Sequence, residues 1–437
     1  MTAAAPAKTT PPEAELQFDV GNTDDSLERM LGLFARHGDT YRVLVPTRRS
    51  YTYVVHHPDD IKRVLVSNHR NYTKGVGIDR VKLLLGKGLM TSEGELWTRQ
   101  RYMIQPFFHR RVITGFAELI AQANDRFIER WEALARQGEL INVTEEMSEL
   151  TLEIVLRSII GADLDRLTQQ LGANPFEVVT REPARDLQFV RKFRSLTKLL
   201  TELFARRRAE GGEHFDYVAM LMSARDKATG EPMSEIDLVN EVMTLIVAGH
   251  ETTASALNWT WYLLSQHREV EARLHAEIEA APEIAAPSLQ QMEALAFTQQ
   301  VINEALRLYP PGWVLSRRTV EADVLGGYAV PARTDVLLML YVLHRHPRFW
   351  KVPDTFWPER FAPEHEAERP RFAYMPFAAG PRHCIGETFA LYEMLMHLYK
   401  VARHYRLSYV PDRPLELEAG INLRTRFPLY MKLERRS

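Results

Sequence analysis

A single cysteine, Cys384, lies in the stretch FAAGPRHCIG, residues 377–386 of a 437-residue chain. One thiol excludes an internal disulfide, a cysteine-rich zinc site and a protein-bound iron–sulfur cluster, because each of these needs several thiols. Gly380, Pro381 and Gly386 predict a tight turn of backbone N–H groups around the sulfur, followed by a helix whose N-terminus adds positive potential. Such a setting favours a thiolate. The cysteine is therefore a reactive group or metal ligand, or else an inert buried thiol.

Polar residues interrupt a long apolar helical pattern at AGHETT, residues 248–253. Ala248 and Gly249 remove bulk there, although a glycine inside a helix costs roughly 1 kcal/mol relative to alanine. Thr252 and Thr253 are able to bond back to the preceding turn. The pattern indicates either a polar helix face or a groove for a flat ligand, with the Glu251 carboxyl and a threonine hydroxyl placed to deliver protons.

Glu304 and Arg307 lie three residues apart in EALRLYPP, so they share one helix face. An isolated surface pair of this kind contributes only roughly 0.2–0.5 kcal/mol. Arg360, in WPERF, is a third candidate that would turn the pair into a buried network. The sequence leaves both interpretations open.

The segments that carry these motifs are mostly helical. Residues 39–57 alternate as two β runs around a turn, and a helix is predicted to follow and to end at Val66. From Gly94 to about Ala280 the apolar residues recur with the helical period, except in residues 172–185, which are predicted to be a mobile connection. Short β runs return after Pro310-Pro311. The expected fold class is mainly α with minor β.

Composition limits the function classes. The 55 lysines and arginines balance 57 acidic residues, which argues against a global nucleic-acid binder. An uncharged apolar run of about 18 residues is absent, so we expect no membrane anchor and a soluble, cytoplasmic monomer. Residues 1–20 are predicted to be a flexible segment and residues 21–437 a single domain, built as two lobes or one large helical assembly.

Taken in chain order, these motifs resemble the cytochrome P-450 haem-thiolate monooxygenases from about residue 25 to the C-terminus. The resemblance rests on Phe377-x-x-Gly380-x-Arg382-x-Cys384-x-Gly386, on the AGHETT stretch, on Glu304-x-x-Arg307 with Arg360, and on Trp97-x-x-x-Arg101. Ala378 departs from the pattern, because the family usually has glycine or a small polar residue there. The fold implied is a large helical assembly around a buried haem, with small β-sheets near both ends of the chain.

The resemblance implies that Cys384 is the proximal ligand of haem b, iron protoporphyrin IX, and that its thiolate donates electron density to the iron. Glu251 and Thr252 would then deliver protons during oxygen activation, beside a dip at Ala248 and Gly249 that leaves room for oxygen. Glu304, Arg307 and Arg360 would form a structural lock behind the cysteine loop. The implied haem-binding residues are Trp97, Arg101, Ala248, Gly249, Arg318, Phe377, Gly380, Arg382, Cys384, Ile385 and Gly386. For the propionate-binding arginine, Arg318 is ranked above its neighbour Arg317 by spacing.

The same resemblance implies a monooxygenase that hydroxylates or epoxidises a hydrophobic small molecule, such as a fatty acid, terpenoid, steroid or polyketide. An apolar pocket is expected from Val76, Ile78, Leu245, Trp313, Val314 and Ile421, each of which could instead be ordinary core. Since the chain carries no flavin or iron–sulfur module, electrons are expected from an external ferredoxin or flavodoxin with its NAD(P)H reductase. Arg99, Arg110, Arg111 and Arg382 are candidates for docking that acidic partner.

Three alternatives remain open at this level. A peroxide-driven oxygenase, or an enzyme that rearranges its bound substrate, would share the haem-thiolate centre, although the intact Glu251-Thr252 pair argues against both. A non-catalytic haem sensor or carrier is the second alternative. In the third, haem is absent and Cys384 acts as a thiol nucleophile.

Overall fold

The computed structural model describes residues 10–15, 17, 25–178 and 187–436. Helices dominate. In chain order they are α1 (Ser26–His37), α2 (Pro58–Lys62), α3 (Ile78–Leu85), α4 (Gly94–Ile104), α5 (Arg110–Thr114), α6 (Ala117–Gln137), α7 (Val143–Ile160), α8 (Asp163–Leu171), α9 (Leu187–Glu210), α10 (Tyr217–Ser223), α11 (Glu235–Gln266), α12 (Arg268–Ala280), α13 (Leu289–Glu293), α14 (Ala296–Leu308), α15 (Leu340–Leu343) and α16 (Glu387–His404). None of the described helices is long and apolar enough to cross a membrane.

The strands are short and form small sheets. They are β1 (Thr40–Val45), β2 (Ser50–Val55), β3 (Tyr72–Lys74), β4 (Leu140–Asn142), β5 (Leu315–Thr319), β6 (Asp323–Leu325), β7 (Tyr328–Val330), β8 (Asp335–Leu338), β9 (Tyr405–Tyr409), β10 (Leu417–Ala419), β11 (Leu423–Thr425) and β12 (Tyr430–Arg435). One sheet has the strand order β1-β2-β8-β5-β3, another has β4-β12-β9, and β6-β7 and β10-β11 are two-stranded.

The chain divides into two compact units, and Cys384 closes the second segment of the first one. This unit comprises Met1–Ile78, Gln300–Cys384 and Arg413–Phe427. Its five-stranded sheet is antiparallel except that β2 and β8 run parallel, with Thr52 opposite Asp335. Two apolar clusters cover the sheet, one around Tyr41 and Met339 and the other around Leu65 and Leu338. The sheet therefore forms a base for the loops that precede Cys384.

The second unit comprises Asp79–Gln299, Ile385–Asp412 and Pro428–Ser437, and it holds most of the helices. Its central element is α11, whose N-terminus is capped where the Ser234 side chain accepts from the Asp237 N–H. Most α11 side chains are buried, which explains the near-continuous apolar run in its sequence. The AGHETT stretch lies in the middle of this helix.

Sequence periodicity predicted the helical and β regions. The predicted helical region from Gly94 to about Ala280 contains α4 to α12, and the two predicted β runs are β1 and β2. The helix that was predicted to end at Val66 differs from the prediction. Its α-helical part, α2, ends at Lys62, and one π-helical turn, Arg63–Ser67, follows. The Asn68 N–H donates to the Arg63 carbonyl over 2.8 Å, five residues back. Hydrophobic periodicity does not indicate such a turn.

Two expectations fall partly outside the described residues. The predicted flexible N-terminal segment, 1–20, includes residues 1–9, 16 and 18–20, which are not described, and the predicted mobile connection, 172–185, includes 179–185, which are not described either. Within that connection, Pro175–Glu177 forms a short 3-10 turn. The expectation of a single domain from residue 21 stays a prediction.

Candidate active site

Cys384 closes a loop of the first unit that starts at Met375. The Cys384 N–H donates to the Phe377 carbonyl over 2.9 Å, and the His383 N–H donates to the Gly380 carbonyl over 3.0 Å. These bonds fold residues 375–384, called the cysteine loop below, back on themselves. The Cys384 side chain is exposed at its end. The inert buried thiol considered above therefore does not describe this residue.

Two residues of the cysteine loop adopt left-handed backbone conformations. Gly380 has a φ of 74°, and a Cβ there would overlap the carbonyl oxygen of Leu65 and lie 2.9 Å from its carbonyl carbon. Glycine is therefore required by both conformation and space. Ala378 has a φ of 61°, which costs a non-glycine residue roughly 1–2 kcal/mol. The family's preference for glycine at that position has the same physical origin.

Glu304, Arg307 and Arg360 meet in a buried cluster of the first unit. Arg307 binds both carboxylate oxygens of Glu304, with Nε–Oε2 and Nη2–Oε1 distances of 2.7 and 2.8 Å, and Arg360 Nε donates to Oε1 over 2.9 Å. Glu304 and Arg307 are both 0% exposed. Arg307 also donates to the carbonyls of Pro353 and Thr355. The structure thus brings the three residues together as a buried network and not as a surface pair.

His344 connects this network to the cysteine loop. Arg307 Nη1 donates to the His344 carbonyl over 2.8 Å, and the His344 ring accepts at Nε2 from the Met375 N–H over 3.0 Å. Complete burial, with the nearby charge of Arg307, lowers the pKa of His344 to about 3, so the ring is neutral. No sequence motif singles out His344, since a histidine in the apolar run LYVLH has no distinctive spacing to other chemical residues.

Arg318 and Arg317 have different surroundings on β5. Arg318 binds both oxygens of Asp335, at 2.9 and 3.0 Å, and Asp335 also accepts from Arg48. Neighbouring residues of a strand point to opposite faces, so Arg317 leaves β5 on the other side. Arg317 donates to the Ser316 carbonyl over 2.8 Å. The assignment of Arg318 to a propionate stays a prediction, with Arg317 as its alternative.

The predicted pocket residues of the first unit have different environments. Trp313 is 1% exposed, packs in the apolar cluster around Tyr41, and donates its indole N–H to the Gly420 carbonyl over 2.9 Å. These contacts fit the core-packing interpretation of Trp313, and its assignment to a substrate pocket stays a prediction. Val76 and Val314 are partly buried against the same cluster. Ile421 is 61% exposed between β10 and β11.

Thr252 and Glu251 lie in the middle of α11, in the second unit. The Thr252 hydroxyl donates to the Ala248 carbonyl over 2.9 Å, and the Thr253 hydroxyl donates to the Gly249 carbonyl over 3.1 Å. Both are the back-bonds that the sequence allowed. Thr252 and Glu251 are only partly buried, whereas Thr253 is buried. The Glu251 carboxyl and the Thr252 hydroxyl are therefore both partly accessible to solvent.

Gly249 lies where α11 packs against α7. A Cβ on Gly249 would lie 3.1 Å from Cγ2 of Val155 in α7. Its missing side chain thus lets α11 and α7 pack closely, and its assignment to an oxygen space stays a prediction. Ala248 is exposed, on a different side of the helix, and keeps its predicted role as a proposal. Leu245, one turn earlier, is partly buried.

Trp97 and Arg101 lie one turn apart on one face of α4, in the second unit, and both are partly buried. Gln100, Met103 and Ile104 of the same helix are buried, and Gln100 and Ile104 lie close to Trp97 and Arg101 around the helix axis. Arg101 Nε donates to the Gln105 side chain over 3.1 Å. Trp97 and Arg101 place an aromatic ring and a cation on one helix face, a combination that suits the edge of a planar anionic ligand.

Two of the four cations assigned to partner docking already have carboxylate partners. Arg99 pairs with Asp226 over 3.0 Å, and Arg110 binds both carboxylate oxygens of Glu293. Arg111 is exposed and Arg382 is partly buried. The expected basic face is therefore weaker than the sequence indicated, because two of its charges are compensated.

The donor set fits a haem. Cys384 presents an exposed sulfur from a loop that backbone hydrogen bonds hold, and Gly380 cannot accept a side chain. No group of three or more histidine, cysteine or acidic side chains in the described part of the chain could hold a metal ion by itself. A single thiolate is sufficient on the protein side only when a macrocycle supplies the remaining ligands.

The comparisons with known proteins agree with this chemistry. The family profile described as "Cytochrome P450" matches residues 14–202 and 173–426. The chain is 33% identical to "Cyclooctatin synthase" and 32% identical to "Cyclooctat-9-en-7-ol 5-monooxygenase", both of Streptomyces melanosporofaciens. These alignments cover 92% and 89% of this chain and 90% and 86% of the relatives. It is 30% identical to "Protein LUTEIN DEFICIENT 5, chloroplastic" of Arabidopsis thaliana, over 98% of this chain and 77% of the relative.

Solved structures show the same fold. The crystal structure of the cytochrome P450DA heme domain matches with a TM-score of 0.86 over 99% of this chain and 98% of that one, at 24% identity. The predicted mainly α fold with minor β is therefore confirmed. Since the profile and the relatives span most of the sequence and the lone thiol lies in the family's loop, the chain belongs to the cytochrome P450 family and is a haem-thiolate monooxygenase.

Proposed function

We propose that this monooxygenase uses haem b to hydroxylate or epoxidise a hydrophobic, terpenoid-type small molecule, with electrons from an external ferredoxin or flavodoxin system. The observation that carries the proposal is the placement of Cys384, the only cysteine, exposed at the end of a loop that hydrogen bonds hold. A thiolate-bound haem supplies dioxygen reduction and the cleavage of the O–O bond.

The protein's first task is to hold the Cys384 sulfur as an anion at a fixed position. The backbone bonds at Phe377 and Gly380 shape the loop, and the His344 ring fixes its start at Met375. Arg307 holds His344 through its carbonyl, and Glu304 and Arg360 hold Arg307. The buried ion network therefore acts as a support and not as a catalyst.

The second task is to move protons at the Thr252 hydroxyl. That hydroxyl donates to the Ala248 carbonyl, so its oxygen lone pairs remain as acceptors. To pass a proton forward, the hydroxyl rotates away from Ala248 and accepts a replacement proton from Glu251 or from water. We propose that Glu251, partly buried in the same turn, supplies that proton.

Haem retention is proposed from the family motif, residue by residue. Arg317, Arg382, Trp97 and Arg101 are the proposed donors for the propionates. Phe377, Ile385 and Gly386 flank Cys384 in the sequence and would contact the macrocycle. Each assignment follows the family motif onto this sequence, with Arg317 as the alternative to Arg318.

The relatives' names narrow the substrate class. One relative is named a cyclooctatin synthase and another a cyclooctat-9-en-7-ol 5-monooxygenase. A third, 27% identical to this chain, is named a carotene monooxygenase. Molecules of this kind are rich in hydrocarbon, and their oxidation needs an apolar pocket. Val76, Ile78, Leu245, Trp313, Val314 and Ile421 stay as candidates for that pocket.

Electron delivery is proposed to come from a separate acidic protein. With Arg99 and Arg110 paired to carboxylates, the exposed Arg111 is the docking candidate that the proposal tests. Charge reversal at Arg111 should slow reduction by ferredoxin at low salt, and added salt should reduce the difference from the wild type.

The proposal is tested by turnover with a panel of fatty acids, terpenoids, steroids and macrocycles, first scored by the spectral shift on binding. Terpenoids should give the shift, and product should form with NAD(P)H, reductase and ferredoxin.

Thr252→Ala should divert reducing equivalents into peroxide, whereas Thr253→Ala, which removes the neighbouring back-bond, should keep coupled turnover. Product with peroxide but none with NAD(P)H would overturn the external-electron mechanism, and fully coupled Thr252→Ala would overturn the proton-delivery role.

A further inference from the structure

We propose that Asp323 is a positioning residue for the Cys384 thiolate, acting through the π-helical turn Arg63–Ser67. The inference rests on the proposed ligation of haem by Cys384. It joins residues of the first unit that lie far apart in the sequence and that no chemical motif connects.

Asp323, at the start of β6, accepts hydrogen bonds from both sides of the π-turn. Arg63, the first residue of the turn, donates to Oδ1 from Nε and Nη2 over 2.9 and 2.6 Å. Asn68, just after the turn, donates to Oδ2 over 2.9 Å, and the Tyr72 hydroxyl donates to the same oxygen over 2.6 Å. The Asp323 side chain is 3% exposed and the Arg63 side chain is 46% exposed, so the bonds from Asn68 and Tyr72 are better shielded from water than those from Arg63.

The hairpin that carries Asp323 also holds α2. In the turn between β6 and β7, the Gly326 N–H donates to Asp60 Oδ1 over 2.8 Å. The hairpin thus contacts residues before the π-turn (Asp60), in it (Arg63) and after it (Asn68 and Tyr72). An isolated π-turn is less stable than continued α-helix, because one residue is added without the usual bond pattern. We infer that the hairpin is what keeps the turn in this form.

The π-turn in turn sets the position of the cysteine loop. The carbonyl of Leu65, in the middle of the turn, lies so close to Gly380 that no Cβ fits between them. Val64 and Leu65 also share one apolar cluster with Met375 and with Leu325 of the hairpin. Ala379 packs against that cluster. A shift of the turn would therefore move Gly380, four residues before Cys384.

The test compares Asp323→Asn with Asp216→Asn. Asp216 is also buried, binds Arg207 through both oxygens and accepts a backbone N–H, but its partners belong to α9 and α10 and not to the π-turn. Both variants lose a buried carboxylate and should unfold more easily. Only Asp323→Asn should also change the sulfur position. Purified holoenzymes are reduced under carbon monoxide. The absorption band of the thiolate-type complex is then compared with the band of the displaced complex, in which the thiolate no longer binds the iron.

We expect the ratio of displaced to thiolate-type complex to rise roughly tenfold in Asp323→Asn, as loss of a charge-assisted hydrogen bond would give, and to stay at the wild-type value in Asp216→Asn. Tyr72→Phe, which deletes one hydroxyl, covers the case in which Asp323→Asn does not fold, and it should shift the ratio in the same direction. If Asp323→Asn folds and gives the same ratio as Asp216→Asn, the inference is overturned. If Asp323→Asn does not fold, the same ratio in Tyr72→Phe and Asp216→Asn would overturn it. A wild-type protein without the thiolate-type band would instead overturn the ligation by Cys384.

Discussion

The His344 ring accepts the backbone N–H of Met375, so a neutral imidazole fixes the first residue of the cysteine loop. The bond joins the buried Glu304–Arg307–Arg360 network to Cys384 through a single side chain. Because Nε2 is the acceptor, a proton on that nitrogen would break the bond. The stability of the loop is therefore linked to pH.

Replacing His344 by Gln should make the free energy of unfolding less dependent on pH. Burial lowers the pKa of His344 to about 3, while an unfolded histidine has a pKa of about 6.5. Between these values the unfolded chain binds a proton that the folded chain does not, so His344 makes stability rise with pH. His344→Gln should reduce the slope by up to about 1.4 kcal/mol per pH unit below pH 6.5, measured by urea unfolding. Parallel curves for the two proteins would contradict this assignment.

Glu304→Gln should destabilise the protein by about 3–5 kcal/mol, because it leaves the buried Arg307 and Arg360 without their counter-charge. The measurement is urea unfolding together with the haem content of the purified protein. Glu368→Gln serves as the control, since this exposed carboxylate pairs only with Lys351 and His365 and its loss should change little. Equal effects of the two substitutions would show that the network is not a structural lock.

Gly249 and Val155 should be energetically coupled. Gly249→Ala gains about 1 kcal/mol of helix propensity but crowds Val155 Cγ2, so alone it should change stability little. In the double variant with Val155→Ala, the new methyl group occupies part of the vacated space. The double-mutant cycle should therefore show a favourable coupling of about 1 kcal/mol, with the haem spectrum unchanged. Zero coupling with an altered spectrum would support the oxygen-space role of Gly249.

Arg317→Ala and Arg318→Ala should separate haem binding from sheet stability. We expect Arg317→Ala to release haem to excess apomyoglobin about tenfold faster, as loss of a charge-assisted bond would give. Arg318→Ala should instead lower stability by about 1 kcal/mol through the lost pair with Asp335, with haem release unchanged. Faster release from Arg318→Ala alone would support the original spacing argument.

Local patterns predicted the elements and motifs of this chain well. The apolar period located α11 and α7, and Pro310-Pro311 marked the end of α14. The turn residues around Cys384 predicted a tight turn, and the bond from the Cys384 N–H to the Phe377 carbonyl folds the loop back. The N–H groups expected around the sulfur stay a prediction. These features depend on residues close together in the sequence, where steric and hydrogen-bonding preferences act directly.

Long-range relationships could not be predicted in the same way. The pairing of Arg318 depends on Asp335, on a neighbouring strand. The close packing at Gly249 depends on Val155, nearly a hundred residues earlier, and the π-turn binds Asp323. In each case the partner was set by tertiary packing, which no local pattern encodes.

The most direct test of the account is the spectrum of the reduced carbon monoxide complex of the wild type and of Cys384→Ala. We predict a thiolate-type band in the wild type and its complete loss in Cys384→Ala, with helical content retained. An unchanged band in Cys384→Ala, or a wild-type band typical of imidazole ligation, would contradict the claim that Cys384 binds the haem iron.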